Sequence, residues 1–132
     1  MSPFFTKNPE KAAAKETAKR EGPEEVRRLV ALQPRELACE LLPGLGANGV
    51  PRRRQGGVGL GALVLWKMDA YSKYTTGFFG PLQAPFQAAV LQLEQAALVE
   101  RHPTQGGQEL LKASALGEQA LAEGAVANYL SR

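Results

Sequence analysis

The chain has 132 residues, of which 44% are hydrophobic and 22% charged, and its formal net charge is +3. These values are typical of one globular domain with a single modest core, and they argue against wholesale disorder. The one cysteine, Cys39, excludes an internal disulfide and fits a reducing compartment. Residues 1–7 lead directly into charged sequence without an apolar export signal, and the nearly apolar run 56–66 is shorter than the roughly 20 residues of a membrane span. We therefore expect a cytoplasmic protein.

The basic residues are concentrated in the first half of the chain. Residues 1–22 hold five Lys and Arg against three Glu, residues 23–57 six against four, and residues 58–132 five against six acidic residues. The first of these segments is rich in Ala, Lys and Glu and has no broad apolar face. It is predicted to be a charged arm, flexible or helical, that is either solvated or lies on a polyanion or a partner.

Residues 23–42 are predicted to form a helical hairpin. Gly22-Pro23 interrupts the arm, and apolar residues then recur at helical spacing. Gln33-Pro34 separates this helix from a second one, which Pro43-Gly44 is expected to end. Residues 43–59 contain six glycines and two prolines, which predicts an exposed loop with three arginines at its centre.

The remaining residues, 60–132, are predicted to form the main core. Two amphipathic helices are expected at Leu60–Tyr74 and Leu82–Ala97. The second has a buried stripe and an opposite side, and the aromatic residues around the two helices are expected to pack in the core. The stripe consists of Phe86, Val90, Leu93 and Ala97, and the opposite side of Gln83, Gln87, Leu91 and Glu94.

A strand-turn-strand pattern follows the second helix. The helix is expected to end in Leu93-Glu94, and the small residue Ala97 is expected to turn the chain. Residues 98–101 are predicted to begin a strand. A turn-rich tip at 103–107 precedes a return strand, and a final helix is expected from the N-cap Ser114 to about Tyr129.

This pattern resembles the winged-helix regulators of the PadR and MarR type over residues 78–125. Ala97 stands where those families usually have Gly and Ser114-Ala115 where they have Thr-Pro, whereas Gly117 and Leu121 match. The resemblance implies a mostly α fold with a small β-wing (α+β), which is a winged helix-turn-helix-like domain over 23–132 with an added N-terminal helical hairpin and charged arm. The alternative is a purely helical bundle in which 98–113 is a loop.

The resemblance further implies a small DNA-binding, transcriptional-regulator-like protein whose helix before the wing enters the major groove. That helix has no Lys or Arg between 82 and 97, so we expect the phosphates to be held by the basic loop and arm. Glutamine side chains can bond adenine N6 and N7 together. The candidate nucleic-acid-binding residues are Arg52, Arg53, Arg54, Gln83, Gln87, Arg101, His102 and Lys112.

The charge-poor helix also suits a second function, a protein-protein interaction or assembly module. In that case residues 23–42 or the apolar edge of the last helix, at Ala125, Val126, Tyr129 and Leu130, are candidates for a homodimer contact. A third alternative is attachment to a membrane surface through Phe4, Phe5 and the basic arm.

An enzyme is not expected from this sequence. The chain has one histidine, one cysteine and one aspartate, so a catalytic triad needs His102 and Asp69, around which there is no motif. The glycines of 57–61 lack both a Lys-Ser/Thr ending and a preceding strand, which argues against a phosphate loop. No cofactor or metal site is predicted.

Overall fold

The computed structural model describes residues 9–50, 57–73, 77–104, 106–107 and 109–131. These residues form six helices and one two-stranded antiparallel sheet, so the predicted mostly α fold with a small β element is confirmed. The alternative in which 98–113 is a loop is wrong. The elements in chain order are α1 Pro9–Ala31, α2 Pro34–Leu45, α3 Leu60–Lys67, α4 Phe79–Gln95, β1 Val99–Pro103, β2 Glu109–Ala113, α5 Ala115–Glu123 and α6 Val126–Leu130.

The first helix is continuous through Gly22-Pro23, so the predicted break at this point is wrong. A proline inside a helix removes one backbone hydrogen bond and costs about 3 kcal/mol. Buried side chains on both sides of the proline, Ala18 and Leu29, compensate by anchoring the helix to the rest of the chain. Helix α1 packs against α4 along this side.

Three other predicted helix ends are also wrong. Helix α2 continues past Pro43-Gly44 to Leu45, whose side chain is fully buried in the core. Gly44 is also buried, and a Cβ there would be 2.7 Å from the indole ring of Trp66. Helix α3 ends at Lys67 rather than Tyr74, and the fully buried Met68 begins a turn. The last predicted helix is divided at Gly124, whose φ of +64° ends α5 in a left-handed cap.

The short helix α6 covers the core instead of presenting a free edge. Tyr129 and Leu130 are buried, and Ala125 and Val126 pack against the same core. The Tyr129 hydroxyl donates to Glu123 at 2.8 Å, which fixes α6 against the end of α5. The four residues predicted as an apolar edge therefore contact their own chain.

Helix α4 lies at the centre of the molecule, in contact with α1, α2, α3 and β1. Its inward side carries Leu82, Phe86, Ala89, Val90 and Leu93, all buried, and Phe86 is the largest of the fully buried side chains. Three members of the predicted stripe are thus confirmed. The fourth, Ala97, lies beyond the helix and is exposed.

The turn after α4 is a Schellman motif. The Leu98 N–H donates to the Leu93 carbonyl at 2.9 Å and the Ala97 N–H to the Glu94 carbonyl at 3.0 Å, while Leu93 and Leu98 are both fully buried. Ala97 takes a φ of +63°, the left-handed conformation for which glycine is preferred. This explains in physical terms why a small residue occupies the turn.

Ser114 connects this turn to α5. Its hydroxyl accepts from the Gly117 N–H at 3.0 Å, which confirms the predicted N-cap, and donates to the Ala97 carbonyl at 2.6 Å. Its own N–H donates to the Leu98 carbonyl at 2.9 Å. A Cβ on Gly117 would lie well inside van der Waals contact of that carbonyl, so the start of α5 can come this close only with glycine.

Val58 forms a single antiparallel bridge to Leu111 at the edge of the sheet. Its N–H and carbonyl bond the carbonyl and N–H of Leu111 at 2.7 Å each, and both side chains are buried. The end of the predicted loop is therefore attached to the sheet immediately before α3 begins.

A charge cluster joins the first three helices. The Arg28 guanidinium donates to both carboxylate oxygens of Glu40 at 2.8 and 2.9 Å, and Lys67 lies 2.8 Å from the same carboxylate. The hydrogen bonds from Arg28, and then the one from Lys67, lower the pKa of Glu40 to about 2. Glu40 thus fixes α1 and α3 to α2.

We predict that Gly117→Ala lowers the free energy of unfolding by at least about 2 kcal/mol, because the new methyl group displaces the Leu98 carbonyl. Urea denaturation followed by circular dichroism measures this difference. Gly61→Ala is the matched control: a Cβ there meets nothing within 4 Å, and alanine in a helix gains roughly 0.5–1 kcal/mol over glycine. Equal effects at the two positions would contradict the close approach at Gly117.

We predict that Ala97→Gly raises the free energy of unfolding by about 0.5–1 kcal/mol, because it relieves a left-handed backbone that disfavours a Cβ. The control is Ala96→Gly, one residue earlier at a φ of −87°, which should lower stability by a similar amount. The same denaturation measurement applies, and a loss of stability in Ala97→Gly would refute the assigned turn.

We predict that Glu40→Gln makes stability less dependent on pH between about 4.5 and 2. The folded pKa of Glu40 lies below its ordinary value of 4.5, so its ion pairs stabilise the fold above that pH and are lost as the pH falls towards 2. At pH 7 the variant should be about 1 kcal/mol less stable, and the difference should shrink on acidification. Thermal denaturation across this range measures it, with the exposed Glu24→Gln as control; a constant difference would contradict the prediction.

Candidate nucleic-acid interface

The outward side of α4 carries a row of four exposed side chains at intervals of four residues, which we call the outer row: Phe79, Gln83, Gln87 and Leu91. Because residues four apart lie on one side of a helix, the row forms a continuous strip along α4. Its two apolar members are large and well exposed, Phe79 by 45% and Leu91 by 51%. The predicted outward placement of Gln83, Gln87 and Leu91 is confirmed.

Phe79 differs from the sequence prediction, which placed the aromatic residues in the core. Phe78 is buried and stacks on Phe79 with ring centroids 4.8 Å apart, so one of the two rings faces solvent. The spacing of four residues between Phe79 and Gln83 is the sequence signal that indicates its position in the outer row.

Helix α4 has one charged residue, Glu94, and an ion-pair cluster fixes it to the sheet. Arg101 of β1 lies 2.5 Å from one Glu94 oxygen and donates from Nε to the other at 3.2 Å, and it also pairs with Glu109 of β2. Hydrogen bonds to Glu94, and then to Glu109, raise the pKa of the Arg101 guanidinium. We call this cluster the Arg101 clamp; it compensates the charge of Arg101 and connects α4 with both strands.

The Arg101 clamp borders a groove of about 350 Å³ between α4 and the sheet. Gln83 and Gln87 line one wall, and Arg101, Glu109 and Leu111 line the other. The structure thus brings three of the predicted site residues, two glutamines and one arginine, to one surface.

His102 and Lys112 lie on the other face of the sheet. Side chains alternate between faces along a strand, and the register pairs Glu100 with Lys112 and Arg101 with Leu111. His102 is exposed, and its Nε2 lies 3.3 Å from Glu100 on the same face. This alternation places His102 and Lys112 on the face of the sheet opposite to Arg101.

Arg52, Arg53 and Arg54 lie outside the described residues. The basic arm, which is also expected to contact the phosphates, is partly described: Lys15, Lys19 and Arg20 are exposed on α1.

Within the described residues, no group of three or more His, Cys, Asp or Glu side chains is placed to hold a metal ion. Cys39 is half-buried against the core, and burial raises the pKa of its thiol. None of the helices in this part of the chain is long and apolar enough to cross a membrane.

Comparison with known proteins found no match for this chain among family models, curated proteins or solved structures.

Proposed function

We propose that this chain is a winged-helix protein that binds double-stranded DNA and places α4 in the major groove. The observation that carries the proposal is the order of the elements: helix α2, the single bridge from Val58 to the sheet, helices α3 and α4, and then the β1–β2 hairpin. In helix-turn-helix proteins the second helix of the pair enters the groove, and here α4 is that helix.

The shape of α4 supports this proposal. Its outer row is exposed along the whole helix, and a helix with its side chains is about 10–12 Å wide, which matches a major groove about 12 Å wide. The amides of Gln83 and Gln87 provide hydrogen-bonding groups for base edges. The hairpin follows α4 after a three-residue turn, and the Arg101 clamp holds it beside the helix.

The charges of the described surface decide where the phosphate contacts come from. Arg101 already has two carboxylate partners, and α4 has no basic residue. We therefore assign the phosphate contacts to Arg52–Arg54 and to the basic residues of α1. Each phosphate that is neutralised steepens the salt dependence of binding by about 0.9 in a plot of log K against log salt.

We predict that the chain binds mixed-sequence duplex DNA at low salt and that replacing Arg52, Arg53 and Arg54 together by Ala lowers this slope by up to about 2.7. Fluorescence anisotropy across a salt series measures both. Arg35→Ala, which removes an exposed guanidinium from α2, should leave the slope nearly unchanged. An absence of duplex binding at low salt would refute the proposal.

The uncharged outer row favours a second candidate, a protein-docking module. Phe79 and Leu91 expose apolar surface at the two ends of the row, and aromatic residues such as Phe79 are enriched at protein interfaces. Under this candidate the chain does not bind DNA, and Leu91→Arg abolishes association with a stoichiometric partner, which light scattering of the purified complex detects.

A further inference from the structure

We propose that the outer row reads A·T base pairs in the major groove, with adenines opposite the two glutamines and thymine methyl groups opposite the two apolar ends. This inference rests on the proposed DNA-binding function and names the ligand of the same surface. The structure places Phe79, Gln83, Gln87 and Leu91 in one exposed row, and the chemistry of each member matches an A·T pair.

The two central residues select adenine. A glutamine amide donates and accepts at once, which matches the N7 acceptor and N6 donor of adenine. Both side chains are exposed, Gln83 in the second turn of α4 and Gln87 at its middle, on the side of the helix that faces away from the core.

The two apolar members suit the thymine methyl group, which is the one apolar feature that a base pair shows in the major groove. Phe79 lies one helical turn before Gln83, and Leu91 one turn after Gln87. In water both side chains expose apolar surface, and contact with a methyl group removes part of it from solvent.

Recognition of G·C pairs needs groups that the described part of this surface does not offer. Guanine is read by Arg or Lys, and cytosine by Asp or Glu. On α4 the single charged side chain is Glu94, and it is paired with Arg101, whose other partner is Glu109. The three groups of this surface that could read a G·C pair, Arg101, Glu94 and Glu109, are thus paired with one another.

The spacing within the row sets the spacing of the bases. Gln83 and Gln87 are separated by about 6 Å along the helix axis, since each residue rises about 1.5 Å. Base pairs rise about 3.4 Å, and a helix in the major groove lies at an angle to the duplex axis, so the two amides reach adenines roughly one or two steps apart. The expected site therefore has two adenines that are adjacent or separated by one base pair, flanked by thymines.

The experiment selects bound sequences from a random duplex library with the full chain and then measures binding to the selected site. We expect an A·T-rich site whose affinity exceeds that of a G·C-rich duplex by roughly tenfold or more. Replacing the two adenines by 7-deazaadenine removes N7 and leaves the minor groove unchanged, and should lower affinity by roughly tenfold. Uracil in place of thymine removes the methyl groups and therefore tests the contacts that Phe79 and Leu91 are proposed to make with them.

Matched variants complete the test. Gln83→Ala and Gln87→Ala should remove the preference for adenine and the effect of 7-deazaadenine, whereas Gln119→Ala, at an exposed position on α5, should keep both. If duplexes bind with equal affinity whatever their sequence, or if the A·T preference survives 7-deazaadenine, this inference is overturned while the proposed function stands. If the chain binds no duplex at low salt, the proposed function fails and this inference fails with it.

Discussion

The position of the sheet relative to α4 and α5 depends on the contacts of one backbone group, the carbonyl of Leu98. It accepts the Ser114 N–H at 2.9 Å and lies against the Cα of Gly117, while the Leu98 side chain is fully buried in the core. The end of α4, the start of β1, the end of β2 and the start of α5 all meet here. Because a close-packed junction of this kind tolerates little displacement, it fixes the position of the hairpin relative to α4.

Much of this arrangement was predictable from local sequence because it depends on backbone chemistry. The small residue at Ala97, the N-cap at Ser114 and the glycine at 117 are each required by a backbone conformation, a hydrogen bond or a close approach. The periodicity of α4 likewise predicted its buried side, since burial follows the 3.6-residue repeat.

The helix ends were predicted less well because tertiary contacts decided them. Local rules place a break at Gly22-Pro23 and an end at Pro43-Gly44, yet burial of Leu29 and Leu45 carries both helices through their prolines. The Arg101 clamp was not predictable either, because it depends on the strand register and on the position of α4 beside it. Side-chain alternation along β1 then separated Arg101 from His102, which the sequence alone had grouped together.

The Arg101 clamp also has a consequence for the thermodynamics of any binding event on this surface. A hairpin that is joined to its neighbouring helix before a ligand arrives has already lost most of its orientational freedom, so that entropy is not lost again on association. Ligands then meet α4 and the hairpin as one preformed surface, and binding approaches rigid-body docking with a small change in conformational entropy. The carboxylates of Glu94 and Glu109 thus have two effects: they occupy the guanidinium of Arg101, and they hold α4 and the hairpin in a fixed relative position.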